Sequence, residues 1–332
     1  LNYNVGNIPL AFRNVTSATI GNLSSFTSTT ITLTNASSAA VALSIGGNDS
    51  MFGSDSGNFA GLGSLLKIGN GQLTVSGNNT MAGGVTVNAG TLILTGVNTY
   101  SGITSIASGG TFNLGDGGFY SSQPSVTTNI SNNGTFNLYQ STGGATTFAN
   151  TISGSGNTNI EGSGYNAYSS GSHAPQDIPG PSITNTGSSV SLTANNTNSG
   201  TTSFGTASSG LAGLVNGTLN GNVNVGFSSY LGGNGTINGN VEMGGGFGPG
   251  IDQVVAITTN PSNGRSIGTV ANGNLVTLTI NGNLDWNPNQ TNYFHLSDTS
   301  NASDKIVING NITTSSLNSS STIVFDFEDT GF

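Results

Sequence analysis

The chain contains no cysteine, which excludes a disulfide framework and any thiolate metal site. Charge is scarce as well. Asp, Glu, Lys and Arg together make up 5% of the 332 residues, against roughly 25% in ordinary soluble domains. The four cations, Arg13, Lys67, Arg265 and Lys305, stand against 13 acids and give a net charge of −9. Nucleic acids and anionic membrane surfaces are held by clustered cations, and these four are scattered, so neither partner is expected. No apolar run approaches the roughly 18 residues of a spanning helix, so no membrane span is expected either. Hydrophobic residues are 33% and aromatics 7%, too little for one compact helical or α/β core over this length. Leu1 opens the sequence without a basic segment and an apolar stretch behind it, and the expectation is a removed leader or an internal start.

Glycine is abundant, with 53 residues, and Asn, Thr and Ser fill the polar positions that charge leaves open. Low hydrophobicity alone would suit a disordered chain. Here, however, Val, Ile, Leu and Phe alternate with Thr, Ser and Asn in many short runs, which is strand patterning.

Internal repetition gives the architecture. Leu73-Thr74-Val75-Ser76-Gly77-Asn78-Asn79-Thr80 returns as Leu92-Ile93-Leu94-Thr95-Gly96-Val97-Asn98-Thr99, with 92 − 73 = 19. Leu43-Ser44-Ile45-Gly46-Gly47-Asn48 is a further copy upstream. A period near 20 residues is about one coil of a parallel β-helix. Alternation in Leu73-x-Val75 and Val85-x-Val87 sends aliphatic side chains inward, while Gly77, Gly83, Gly84 and Gly90 supply corners through positive φ or crowding. Stacking would place Leu43, Leu73 and Leu92 in one interior column and asparagines in another, as ladders that saturate corner amides. Gly110-Thr111-Phe112-Asn113-Leu114 recurs 24 residues later as Gly134-Thr135-Phe136-Asn137-Leu138. From residue 215 an Asn-Gly theme takes over, at Asn220-Gly221-Asn222, Asn238-Gly239-Asn240, Asn281-Gly282-Asn283 and Asn309-Gly310-Asn311. Asn-Gly is also a hairpin signal, so an antiparallel sandwich is the alternative fold. The expected fold is all-β: a right-handed parallel β-helix (β-solenoid) of about 20 residues per coil, one domain over 1–332, with loop insertions near 165–183 and 244–265.

The stretch from Ser64 to Leu92, followed by Asn98-Thr99-Tyr100-Ser101-Gly102, resembles the autotransporter-associated β-strand repeat. The C-terminal segments Gly232–Asn240, Leu278–Asn283 and Ser303–Gly310 are similar to the ends of such passenger regions. The resemblance implies a bacterial passenger, secreted and extracellular or held at the cell surface.

Side chains for chemistry are few. Lyases of acidic sugars use Arg or Lys, which this chain nearly lacks. Hydrolases need two carboxyls at one sugar bond; the candidates are Asp298 with Asp304, or Asp326 with Glu328 and Asp329, whose plainer reading is a solvated edge. His295 lies in an alternating strand, and His173 with Asp177 is too small a set to fix a metal. No catalytic residue, metal or cofactor is expected. Tyr165, Tyr168 and His173 form a possible ligand loop for extracellular glycans, and Tyr120, Phe227 and Tyr230 are further aromatics suited to stacking on sugars. Asn-x-Ser/Thr triplets at Asn14, Asn22, Asn35, Asn133, Asn234 and Asn301 follow from the composition. Solenoid ends leave unpaired strand edges, so Leu1, Tyr3, Val5 at one end and Ile323, Phe325, Phe327 at the other are the expected self-association edges of a homo-polymer. The leading expectation is a structural protein of a fibre, sheath or matrix; the alternatives are a glycan-binding adhesin and a polysaccharide-degrading enzyme.

Overall fold

In the computed structural model the described residues are 2–4, 10–25, 30–47, 49, 53–55, 57–117, 123–140, 145–162, 184–185, 189–205, 211–226, 229–244, 246–247, 254–259, 266–270, 277–286, 290–296, 305–314 and 323–329. Among them there is no helix, and the strands stack in parallel as a β-solenoid of roughly 22 residues per turn. The chain divides into two compact units, 1–141 with 150–158, and 142–149 with 159–332.

In the first unit, in-register columns of inward side chains form the core. One column runs Leu43, Leu65, Val85, Thr104, Ile130, Ile152, and its neighbour runs Ile45, Lys67, Val87, Ile106, Asn132. A second face stacks Leu73, Leu92, Phe112 and Phe136 beside Val75, Leu94, Leu114 and Leu138. The 19-residue offset of the first two copies and the 24-residue offset of the Phe pair are therefore true rung spacings. The Phe112 and Phe136 rings stack at 5.7 Å between centroids and 13° between planes, both fully buried. Such a pair adds about 1 kcal/mol beyond its burial.

Leu43 is a correction to the expected column. It pairs with Leu65, while Leu73 lies opposite Gly53 and Leu92. The Leu-x-Ile-Gly-Gly-Asn run looks like the Leu73 copy, but both faces of a rung end in such a corner, and only pairing decides which face a strand joins.

The second unit has three strand positions per turn. One column of strands is Ala145–Phe148, Ser189–Leu192, Ala212–Val215, Tyr230–Gly232 and Gly246–Phe247. Another is Thr218–Leu219, Thr236–Ile237, Thr277–Ile280 and Lys305–Ile308. The third is Thr202–Phe204, Val223–Val225, Val241–Met243, Leu284–Trp286 and Ile312–Thr313. All of these pairs are parallel, so each Asn-Gly joins two faces of one rung and makes no hairpin. At Gly239 crowding fixes the residue: a Cβ there would fall on the Gly221 carbonyl oxygen of the rung before. Gly90 illustrates the other reason, with φ 64°.

The interval between the Asn238 and Asn281 rungs is 43 residues, about two turns' worth. It contains an antiparallel pair, Val254–Thr259 with Ser266–Val270, and Thr184–Asn185 joins the former strand, also antiparallel. Val254–Thr259 falls within the segment 244–265 expected as an insertion, and its partner strand Ser266–Val270 follows that segment. The one expected at 165–183 lies outside the described residues.

Candidate functional site

The corners of the solenoid are held by asparagine, in two ways. In the first unit Asn79 and Asn98 are 1% and 0% exposed. Asn79 Nδ2 donates to Asn98 Oδ1 at 2.6 Å, and Asn79 Oδ1 accepts from the Phe59 backbone N–H at 2.9 Å. Asn98 Nδ2 donates onward to the Gly96 and Ser125 carbonyls. The pair links corner backbone of four successive turns, at Phe59, Gly77, Gly96 and Ser125.

In the second unit the same residue type stands on the surface. Asn238 Nδ2 donates to Asn220 Oδ1, Asn281 to Asn238 and Asn309 to Asn281, at 2.6, 2.7 and 2.7 Å. Two residues on, a second ladder runs beside it: Asn240, Asn283 and Asn311 each donate their backbone N–H to the Oδ1 of Asn222, Asn240 and Asn283, at 2.9 to 3.0 Å. All eight asparagines are exposed.

Beside this second ladder lies a groove of about 330 Å³, lined by Asn222, Asn240 and Asn283 and, two residues on along the same strands, by Asn224, Glu242 and Asp285, with Thr313 on the next rung. The strand pattern explains the second column. Val223, Val225, Val241, Met243, Leu284 and Trp286 point inward and are buried, so the residue between each pair points out. Register then aligns Asn224, Glu242, Asp285 and Thr313 in one outward column. Glu242 and Asp285 are direct cross-strand neighbours.

Lys67 and Tyr100 are two further buried polar side chains of the first unit. Lys67 is 1% exposed and its Nζ donates to the Ile68, Gly69 and Ala89 carbonyls at 2.7, 2.7 and 3.2 Å. Burial lowers its pKa, and attraction to Asp49 works the other way. Tyr100 is fully buried with its hydroxyl 2.6 Å from Thr104 Oγ1; burial pushes its pKa up to about 12, against the hydrogen bonds to Thr104 and Thr128. Both serve the fold: Lys67 ties the carbonyls of two successive corners.

The residues expected to matter fall as follows. Tyr3 lies in the strand Asn2–Asn4, parallel to Asn22–Ser25 and opposite Leu23. Ile323, Phe325 and Phe327 lie in Ile323–Asp329, parallel to Gln290–Leu296 and opposite Gln290, Asn292 and Phe294. The same pairing sets Asp326 opposite Tyr293 and Glu328 opposite His295. Tyr230 begins the strand opposite Ala212. Leu1, Val5, Tyr120, Tyr165, Tyr168, His173, Asp177, Phe227, Asp298 and Asp304 lie outside the described residues. Asn35, one of the Asn-x-Ser sites, is 8% exposed and caps a turn through Ser37 and Ala39. Sequence reasoning missed the groove, although the signal was there: an acid at the outward position of Val-x-Met and of Leu-x-Trp, each just after an Asn-Gly-Asn.

Among the described residues no helix is long and apolar enough to cross a membrane, and no three His, Cys, Asp or Glu side chains gather as a metal site. The family model of the passenger-associated-transport repeat matches residues 65–93 and 88–114. No curated protein and no solved structure matches the chain. The matched segments are the rungs that carry Leu73, Leu92, Phe112 and the buried Asn79 and Asn98. Residues 65–114 of this β-solenoid are thus similar to the passenger-associated-transport repeat, and the repeat together with the fold fits an autotransporter passenger repeat protein.

Proposed function

We propose that the chain is a non-catalytic structural element outside the bacterial cell, and that copies associate end to end into a fibre, sheath or matrix. The observation that carries this reading is the parallel register itself. Each rung presents the next with the same row of donors and acceptors, and a rung of a second copy meets the same row. Asn2–Asn4 pairs with Asn22–Ser25 and Ile323–Asp329 with Gln290–Leu296, and in this reading the other edge of each strand is the one that meets a neighbouring copy. Tyr3, Ile323, Phe325 and Phe327 lie in these strands.

Electron microscopy of the purified chain is expected to show filaments one solenoid wide. Deleting residues 1–12 should abolish them, and so should Phe325→Pro, which removes a ladder donor and introduces a ring into the terminal strand. Filaments that persist in both variants would reject association through these strands. The adhesin reading, with Tyr165, Tyr168 and His173 as a ligand loop, is tested separately by glycan binding of a chain lacking 165–183.

A further inference from the structure

The corners of this solenoid are rich in Asn-Gly steps. Both residues are described in eight of them, while those at Asn263 and Asn272 lie outside the described residues. Asparagine before glycine is chemically labile. The glycine nitrogen attacks the asparagine Cγ and the new N–Cγ bond closes a succinimide; the Cγ–Nδ2 bond breaks and ammonia leaves. Water then opens the ring at one of its two carbonyls and yields aspartate or isoaspartate. The attack is unhindered because glycine has no Cβ, but the amide must first turn from its partners onto its own backbone. Glycine follows at all eight steps, so differences among them report how each amide is held.

The fold holds them unequally. Asn238 and Asn281 are bonded at both amide atoms by their ladder neighbours, and Asn216 by Ser191 Oγ and the Asn234 N–H. Asn220, Asn234 and Asn309 have one such bond each. At Asn133 the amide oxygen accepts from the Ser155 N–H, and the nucleophile itself is engaged, since the Gly134 N–H donates to Asn132 Oδ1. Asn70 differs from all of these. It is exposed, and its side-chain amide makes no hydrogen bond among the described residues; only its backbone N–H is tied, to Asp49 Oδ1 at 2.6 Å.

We propose that Asn70-Gly71 is a self-modification site of the folded chain, converting to aspartate and isoaspartate without an enzyme, while the asparagine ladder keeps Asn238 and Asn281 intact. The product changes a working corner. The Gly69 carbonyl accepts from the Lys67 ammonium at 2.7 Å and the Gly71 carbonyl from the Thr91 N–H of the next rung at 3.2 Å. Isoaspartate lengthens the backbone between these two carbonyls by one carbon, and either product adds a second carboxylate to a corner that already holds Asp49.

The test ages the full chain in mildly alkaline buffer, folded and in denaturing urea, and follows each step by peptide mapping with mass spectrometry that separates aspartate from isoaspartate. In the folded chain Asn70 is expected to convert at least about fivefold faster than Asn238 and Asn281, the scale of two hydrogen bonds at the low end of their net worth. In urea the three steps are expected to convert alike. Asn281→Ala frees Asn238 Oδ1 and should speed the Asn238 step about twofold, the scale of one such bond, with the melting temperature kept. The isoaspartate form at position 70 is expected to melt below the parent. The proposal is overturned if Asn238 and Asn281 convert at the Asn70 rate in the folded chain, if the folded-state order persists in urea, or if Asn70 stays unmodified while the unfolded chain converts.

Discussion

The two units use one residue in one stacking geometry for different ends. Around Asn79 and Asn98 the amide ladder is buried, each bond replaces water that cannot enter, and the corner backbone of the first unit depends on it. Around Asn220, Asn238, Asn281 and Asn309 the ladder is exposed, and water would serve each amide nearly as well. The lesson is that an asparagine ladder contributes stability in proportion to its burial, while its ordering effect does not depend on burial. On the surface it fixes amides at regular spacing while adding little to stability.

Asn79→Ala is the sharpest way to break the comparison. It strands the Phe59 N–H and the Asn98 oxygen in a dry corner and should cost about 3 kcal/mol in urea unfolding of the whole chain.

The alkaline limb of stability follows from the first unit's other buried groups. Folding keeps the Tyr100 proton up to about 12, whereas the unfolded chain loses it near 10, so the unfolded state binds fewer protons in that window and stability falls as pH rises. The full loss, reached above about 12, is about 2–3 kcal/mol. Lys67 acts with the opposite sign. Its folded value is depressed, so stability rises with pH until the unfolded value of 10.5 is passed, after which only the Tyr100 loss continues. Urea midpoints between pH 9 and 12.5 should therefore decline late, and Tyr100→Phe should flatten that decline.

The smallest effect is expected where the ladder is exposed. Asn238→Ala should cost under about 0.5 kcal/mol, since its partners turn to water. A loss equal to that of Asn79→Ala would refute the role assigned to burial.

Much of this was legible in the residues. Leu73 and Leu92, or Phe112 and Phe136, stack because identical strings recur at the rung spacing, and the Asn-Gly-Asn strings mark corners for the same reason. Two things were hidden. Nothing in Ser64-Leu65-Leu66-Lys67 marks its lysine as buried, yet Lys67 is in phase with Leu65 and enters the core, because two successive corners turn three carbonyls toward it. Glu242 and Asp285 are 43 residues apart in sequence and adjacent in space only because the antiparallel pair Val254–Thr259 and Ser266–Val270 stands between their rungs. Composition cannot reveal such a jump, and spacing misleads about it.

The absence of cysteine gives a direct measurement of that register. Thr236 and Thr279 are paired across the 43-residue jump, close enough for a disulfide. Oxidised Thr236→Cys with Thr279→Cys should cross-link nearly completely, while Thr236→Cys with Thr277→Cys, two residues out of register, should not. If instead Asn281-Gly282 turned a hairpin, Thr279 would lie opposite Leu284; cross-linking of Thr279→Cys with Leu284→Cys, and none between 236 and 279, would contradict the parallel solenoid.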